Sequence, residues 1–99
     1  MASTFLVHIT LPEFFSPRFV ALLPRHRKKI NELLEKRVIL SYSLDMDRRN
    51  VWVFIQTNNE SEIIRLISNF PILNEVTFEV KELAFHDTAP IGLPELIMN

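Results

Sequence analysis

From Thr4 to Leu11 apolar and polar positions alternate, with Phe5, Val7, Ile9 and Leu11 on one side and Leu6, His8 and Thr10 on the other. That two-residue period predicts a strand, and Pro12 ends it. Ser16 followed by Pro17 is a helix-start signal, because Ser caps free amides and Pro at the first helical position sacrifices no internal hydrogen bond. The period then changes. Phe19, Leu22, Leu23, His26, Ile30, Leu33, Leu34 and Arg37 recur at steps of three and four, the spacing of one helix face. Pro24 cannot donate to Val20, so the spacing predicts a kink there, or a short first helix followed by a main helix through about Lys36.

Alternation returns over Val38 to Asp45, setting Val38, Leu40, Tyr42 and Leu44 against Ile39, Ser41, Ser43 and Asp45. Asp47, Arg48, Arg49 and Asn50 make a polar turn before Val51 to Thr57, whose faces are Val51, Val53 and Ile55 against Trp52, Phe54 and Gln56. The two strands read as a hairpin. Asn59 with Glu62 three residues later forms a capping box ahead of the stripe Ile63, Leu66, Ile67 and Phe70, which Pro71 stops. A last strand runs from Glu75 to Phe85, with Val76, Phe78 and Val80 against Thr77, Glu79 and Lys81; the apolar parity shifts near Leu83 and Phe85, which predicts a bulge. Strand, helix, strand, strand, helix, strand is the order of the α+β, ferredoxin-like βαββαβ fold. Right-handed crossovers put both helices on one face of a four-stranded antiparallel sheet. Residues 1–99 form a single domain, with its core over about 4–86 and a C-terminal arm over 87–99.

The other sheet face is mixed. Leu6, Ile39, Trp52 and Phe54 are expected to share it with His8, Thr10, Ser41, Ser43, Gln56, Thr77, Glu79 and Lys81. Such a face is too apolar for water and too polar for a dry core, and a second sheet packed on it satisfies both halves. The expected assembly is a homodimer, open to higher oligomers. Ile91, Leu93, Leu96, Ile97 and Met98 in the tail fit the same picture by covering a neighbouring subunit, or else belong to a frayed terminus.

Composition narrows the function. The 99 residues are 47% hydrophobic and 23% charged, enough apolar material for a core and too little charge for a disordered chain. Eleven basic against twelve acidic side chains leave a net charge of -1, which removes the positive field that nucleic-acid binding relies on. Without cysteine there is no disulfide, thiolate nucleophile or Cys-ligated metal, and a cytoplasmic setting fits best. No apolar run approaches a membrane span, and the start of the chain lacks the basic segment of a secretory signal. Gly92 is the single glycine, so a phosphate-binding loop, a dinucleotide fingerprint and a GxSxG nucleophile elbow are all excluded. Three isolated histidines, with neither HxH nor HExxH, predict no metal site. The expected partner is a small molecule, with neither nucleic acid nor membrane.

The opening Phe5-Leu6-Val7-His8-Ile9 leading to Leu11-Pro12, the long basic first helix, Phe70-Pro71 after the second helix, and Glu79-Val80-Lys81-Glu82-Leu83 with Phe85-His86 together resemble the muconolactone isomerase family. The similarity covers about Phe5 to Ala89. It implies a dimeric α/β barrel and a cofactor-free isomerisation of a five-membered unsaturated lactone carrying a carboxylate, by moving one proton along an allylic system. Such chemistry needs a base, a group to return the proton, and a cation or amide to hold the carboxylate. The chain departs from the family pattern where Glu35-Lys36-Arg37-Val38 runs on without a Gly after the first helix, and in having Asp87-Thr88 after His86. Two other functions on the same fold compete with this one: a non-catalytic small-molecule-binding or assembly module, and a cofactor-free oxygenase.

His26 is the leading acid–base candidate, an imidazole of near-neutral pKa where helix meets sheet, the alternative being a hydrogen-bonded structural His beside Pro24. Glu79 on the mixed face is a second possible base, or an exposed carboxylate paired with Lys81. Arg25 and Arg27, with Lys28, offer carboxylate anchors, since guanidinium bonds a carboxylate bidentately; a solvated basic helix face is the plainer account. Tyr42 and Trp52 are candidate pocket walls with a polar tip, although Tyr42 shares parity with core positions. His8 lines a lumen or crosses the dimer interface. His86, matched by a residue after the last strand in the family, is placed at a pocket mouth or in the tail turn.

Overall fold

The computed structural model describes residues 2–89. The elements are β1 (Ser3–Thr10), α1 (Pro17–Glu35), β2 (Ile39–Leu44), β3 (Asn50–Thr57), α2 (Glu60–Ser68), one 3₁₀ turn (Leu73–Glu75) and β4 (Thr77–Leu83). The sheet order β2-β3-β1-β4, antiparallel throughout, is that of a ferredoxin-like α+β fold. The expected arm residues Ile91, Leu93, Leu96, Ile97 and Met98 lie outside the described residues.

Local chemistry starts both helices. The Ser16 hydroxyl accepts a hydrogen bond from the Phe19 amide (3.1 Å), with Pro17 in the first turn. Asn59 Oδ1 accepts from the Glu62 amide (2.9 Å), and the Glu62 carboxylate reaches back to the Asn58 amide (2.9 Å), a capping box displaced by one residue. α1 runs unbroken through Pro24, so of the two expectations a short first helix followed by a separate main helix does not hold. The hydrogen bond Pro24 forgoes belongs to the carbonyl of Val20, a residue on the exposed side of the helix.

The end of α1 explains the missing glycine. The Val38 amide donates to the Leu33 carbonyl and the Arg37 amide to the Leu34 carbonyl, both at 3.0 Å, which is the Schellman pairing. It requires a left-handed residue after the cap, and Arg37 takes that place with φ 60°.

One face of the sheet is fully covered. Phe5, Val7 and Ile9 of β1 with Val51, Val53 and Ile55 of β3 are at most 2% exposed, in one cluster with Phe19, Ile30 and Leu33 of α1 and Ile63 and Ile67 of α2. Each such side chain contributes on the order of 1.5–3 kcal/mol by leaving water. Both helices therefore lie on this face, and the alternate residues Leu6, His8, Trp52 and Phe54 form the other.

Two parity expectations are corrected. Ile39 belongs to the covered face, opposite Ile55 and buried with it, because the register of β2 on β3 slips between Ile39 and Ser41. Leu40 is the extra residue of this bulge and is exposed, while Tyr42 and Leu44 pair with the inward Val53 and Val51. The bulge expected near Leu83 is absent. β4 keeps a regular register on β1 from Thr77 to Leu83, which places Leu83 opposite Thr4 on the same face as Glu79 and Lys81.

A non-glycine residue held left-handed costs about 1 kcal/mol or more, of which glycine recovers a part after its larger unfolded-state entropy. Arg37→Gly is expected to stabilise the chain by about 0.5–1 kcal/mol, read as a higher urea midpoint with an unchanged m-value.

Candidate functional site

The bulge in β2 turns Tyr42 towards α1, where it meets His26. His26 Nε2 and the Tyr42 hydroxyl share a hydrogen bond of 2.9 Å, and the His26 ring sits edge-on to Phe70 with centroids 5.7 Å apart. His26 is the buried polar side chain of the core, 4% exposed, and its Nδ1 has no partner. The pair borders a cavity of about 230 Å³ between α1 and the β2–β3 hairpin. Its walls are apolar, with Leu11, Phe15, Leu23, Leu44 and Val51 among them, and Arg27 and Arg48 complete the lining. No aspartate or glutamate lines it. The aromatic wall is braced by Phe15 against Phe19, their centroids 4.7 Å apart.

Burial above all, and the Arg27 charge after it, lower the His26 pKa from 6.5 to about 4. The expectation of an imidazole titrating near neutrality is therefore corrected: His26 is uncharged at pH 7. Burial likewise raises the Tyr42 pKa, against a smaller opposing effect of Arg27. The cavity presents a neutral hydrogen-bonded pair in an apolar recess, under two cationic residues.

Arg48 stands there because of the hairpin turn. Asp45 Oδ1 accepts from the amides of Arg49 (2.9 Å) and Asn50 (3.0 Å), and Oδ2 accepts from Asn50 Nδ2 (2.8 Å). These bonds, the Asn50 side chain first, hold the Asp45 carboxyl down at about 2. Arg48 takes the left-handed corner of the turn at φ 58°. Sequence reasoning placed Arg48 in the turn and missed it as a wall of the cavity. The polar run Asp47 to Asn50 carries no signal that separates Arg48, which borders the cavity, from Arg49, whose Nε donates to the Leu11 carbonyl (3.3 Å).

The remaining candidates lie elsewhere. His8 and Trp52 stack on the open face, centroids 5.6 Å apart and nearly parallel, and His8 Nε2–H donates to Asn50 Oδ1 (2.8 Å). With Leu6, Glu79 and Lys81 they border a hollow of about 260 Å³. His86 packs on Phe54 of the same face, centroids 4.7 Å apart. The sheet thus separates Glu79, His8, Trp52 and His86 from His26, Tyr42 and Arg27, and Arg25 lies exposed on α1 without bordering the cavity. Between α2 and the far end of β3, Gln56, Asn58 and Arg65 border a wider polar cleft of about 500 Å³, which takes in none of the candidates. Among the described residues no three His, Asp or Glu side chains are grouped to hold a metal ion, and no helix is long and apolar enough to cross a membrane.

No family model matches the chain, and no curated protein matches it.

The His26 shift has a sign that can be tested. The folded state binds this proton more weakly than the unfolded chain, so the stabilisation is complete above about pH 6.5 and is lost as pH falls towards about 4. It amounts to about 3 kcal/mol at most. Urea midpoints are expected to drop through that window in the wild type and to flatten in His26→Gln; Asp45 acts below pH 3.8, outside it.

Proposed function

We propose that this chain is a muconolactone isomerase-like protein that binds a small carboxylated or lactone-type compound between α1 and the β2–β3 hairpin and shifts one proton along it without a cofactor. The observation that carries this reading is the uncharged His26–Tyr42 pair set in an apolar cavity with Arg27 at its rim. The cavity volume of about 230 Å³ lies just below the ~300 Å³ at which ligand pockets usually begin, which suits a small ring compound.

In this mechanism Arg27 holds the ligand carboxylate. The Tyr42 oxygen takes the proton from an acidified C–H as the phenol passes its own proton to His26 Nε2, and the electron pair left behind delocalises into the conjugated carbonyl. The reverse motion returns a proton to the distal carbon, so the product has the formula of the substrate. With a pKa of about 4 the imidazole is a weak base at neutral pH, below the value that best suits proton abstraction, so the mechanism depends on a C–H already acidified by conjugation. The ligand's own carboxylate offsets part of the penalty on the transient imidazolium.

The absence of any acidic side chain from the cavity lining favours a second reading, a non-catalytic binding module with the same pocket. Incubation in D2O with an unsaturated five-membered lactone carrying a carboxylate arm, followed by NMR, separates the two. Conversion with deuterium at the shifted carbon is expected, with kcat about a hundredfold lower or worse in Tyr42→Phe and His26→Gln. Binding with neither conversion nor exchange leaves the binding module.

The reading includes a homodimer in which a second copy covers the open sheet face. Support comes from Trp52, 37% exposed beside the partly exposed Leu6 and Phe54 on a face that neither α1 nor α2 covers. Light scattering is expected to give twice the chain mass for the wild type and the single mass for Trp52→Glu. A monomeric wild type refutes the dimer.

A further inference from the structure

The cavity has an electrostatic character that the chain as a whole lacks. The protein carries a net charge of -1, yet the cavity lining holds two arginines, a neutral histidine and no acid. Among the described residues the ion pair is Arg18 with Glu75 (3.6 Å), and neither Arg27 nor Arg48 has a carboxylate partner. The two come from separate elements, Arg27 from α1 and Arg48 from the hairpin turn that Asp45 fixes. The same cavity is lined by the buried His26, whose Nδ1 has no hydrogen-bond partner among the described residues.

Resting on the carboxylate-binding reading above, we infer that Arg48 is a specificity-determining residue that closes on the ligand carboxylate opposite Arg27. The cavity therefore selects a single-ring monocarboxylate over its neutral amide or ester. Two guanidinium groups on facing walls hold the carboxylate at the mouth, which directs the apolar ring past Phe15 and Leu44 towards His26 and Tyr42. The left-handed backbone at Arg48 fits this role. A glycine there relieves the turn, so the arginine occupies a conformation that its own backbone disfavours.

Benzoate and its neutral isostere benzamide are the probes, titrated into the full-length protein by calorimetry. Benzoate is expected to bind more tightly than benzamide and to weaken as salt rises. Arg48→Gly and Arg48→Gln are each expected to weaken benzoate about tenfold, as loss of a charge-assisted contact does, while leaving benzamide unchanged. Arg48→Gly eases the turn, so its loss of affinity does not come from misfolding. Unchanged benzoate affinity in Arg48→Gly overturns the inference, as does a wild type with no preference for benzoate, including one that binds neither probe. The isomerase reading fails separately, when no proton exchange occurs in D2O even though benzoate binds through Arg48.

Discussion

Ile39 and Tyr42 both face the helices, which a regular strand forbids, because residues three apart project to opposite sides of a sheet. The extra residue at Leu40 removes the conflict. Ahead of the bulge, Ile39 joins the core opposite Ile55; after it, Tyr42 points at α1 and closes the 2.9 Å hydrogen bond to His26. Had β2 continued without the bulge from a buried Ile39, the phenol would stand on the open face and the imidazole would be left in apolar surroundings with neither nitrogen paired. Such a group costs on the order of 1–3 kcal/mol for each unsatisfied atom. The bulge thus joins the packing of the sheet to the chemistry of the cavity.

Strand parity also sorts the polar side chains into two populations. His8, Trp52 and Glu79 share the open face with Lys81, near to water or to a covering copy, whereas His26 and Tyr42 are shielded by α1. The sheet between them is a packed layer of Val, Ile and Phe, so no proton or ligand passes from one set to the other. A common hydrogen-bonded frame nevertheless supports both sides. His8 donates to Asn50, whose amide nitrogens donate to Asp45, and Asp45 sets the turn that places Arg48 at the cavity.

Much of this architecture is legible in the residues, and the exceptions share a physical origin. β1 and β3 alternate cleanly because one face is wholly buried, and the caps at Ser16 and Asn59 are local chemistry that needs no tertiary knowledge. β2 defeated the same logic, since Val38, Leu40, Tyr42 and Leu44 form an equally clean alternation that a single inserted residue splits. β4 failed in the opposite sense. It is regular, but as an edge strand it has a thinly covered inward side, so the exposed Phe78 and the outward Leu83 blur the pattern. For the site, a helical stripe with one polar member points to His26, whereas Arg48 borders the cavity only through the geometry of the turn, and its sequence neighbours look the same.

The charge distribution of the cavity ties proton and ligand together. Burial and Arg27 both disfavour a charged imidazole, and the positive field from Arg27 that repels a proton from His26 attracts a carboxylate. Linkage then makes the two reciprocal: an anion seated between the arginines raises the affinity of His26 for a proton, and a proton on His26 raises the affinity of the cavity for the anion by the same factor. In the proposed reaction, binding of a carboxylate would thereby make His26 a better base. The same field gives an uncharged compound no such gain, so in the proposed function selectivity for carboxylates and the timing of proton transfer share one arrangement of charge.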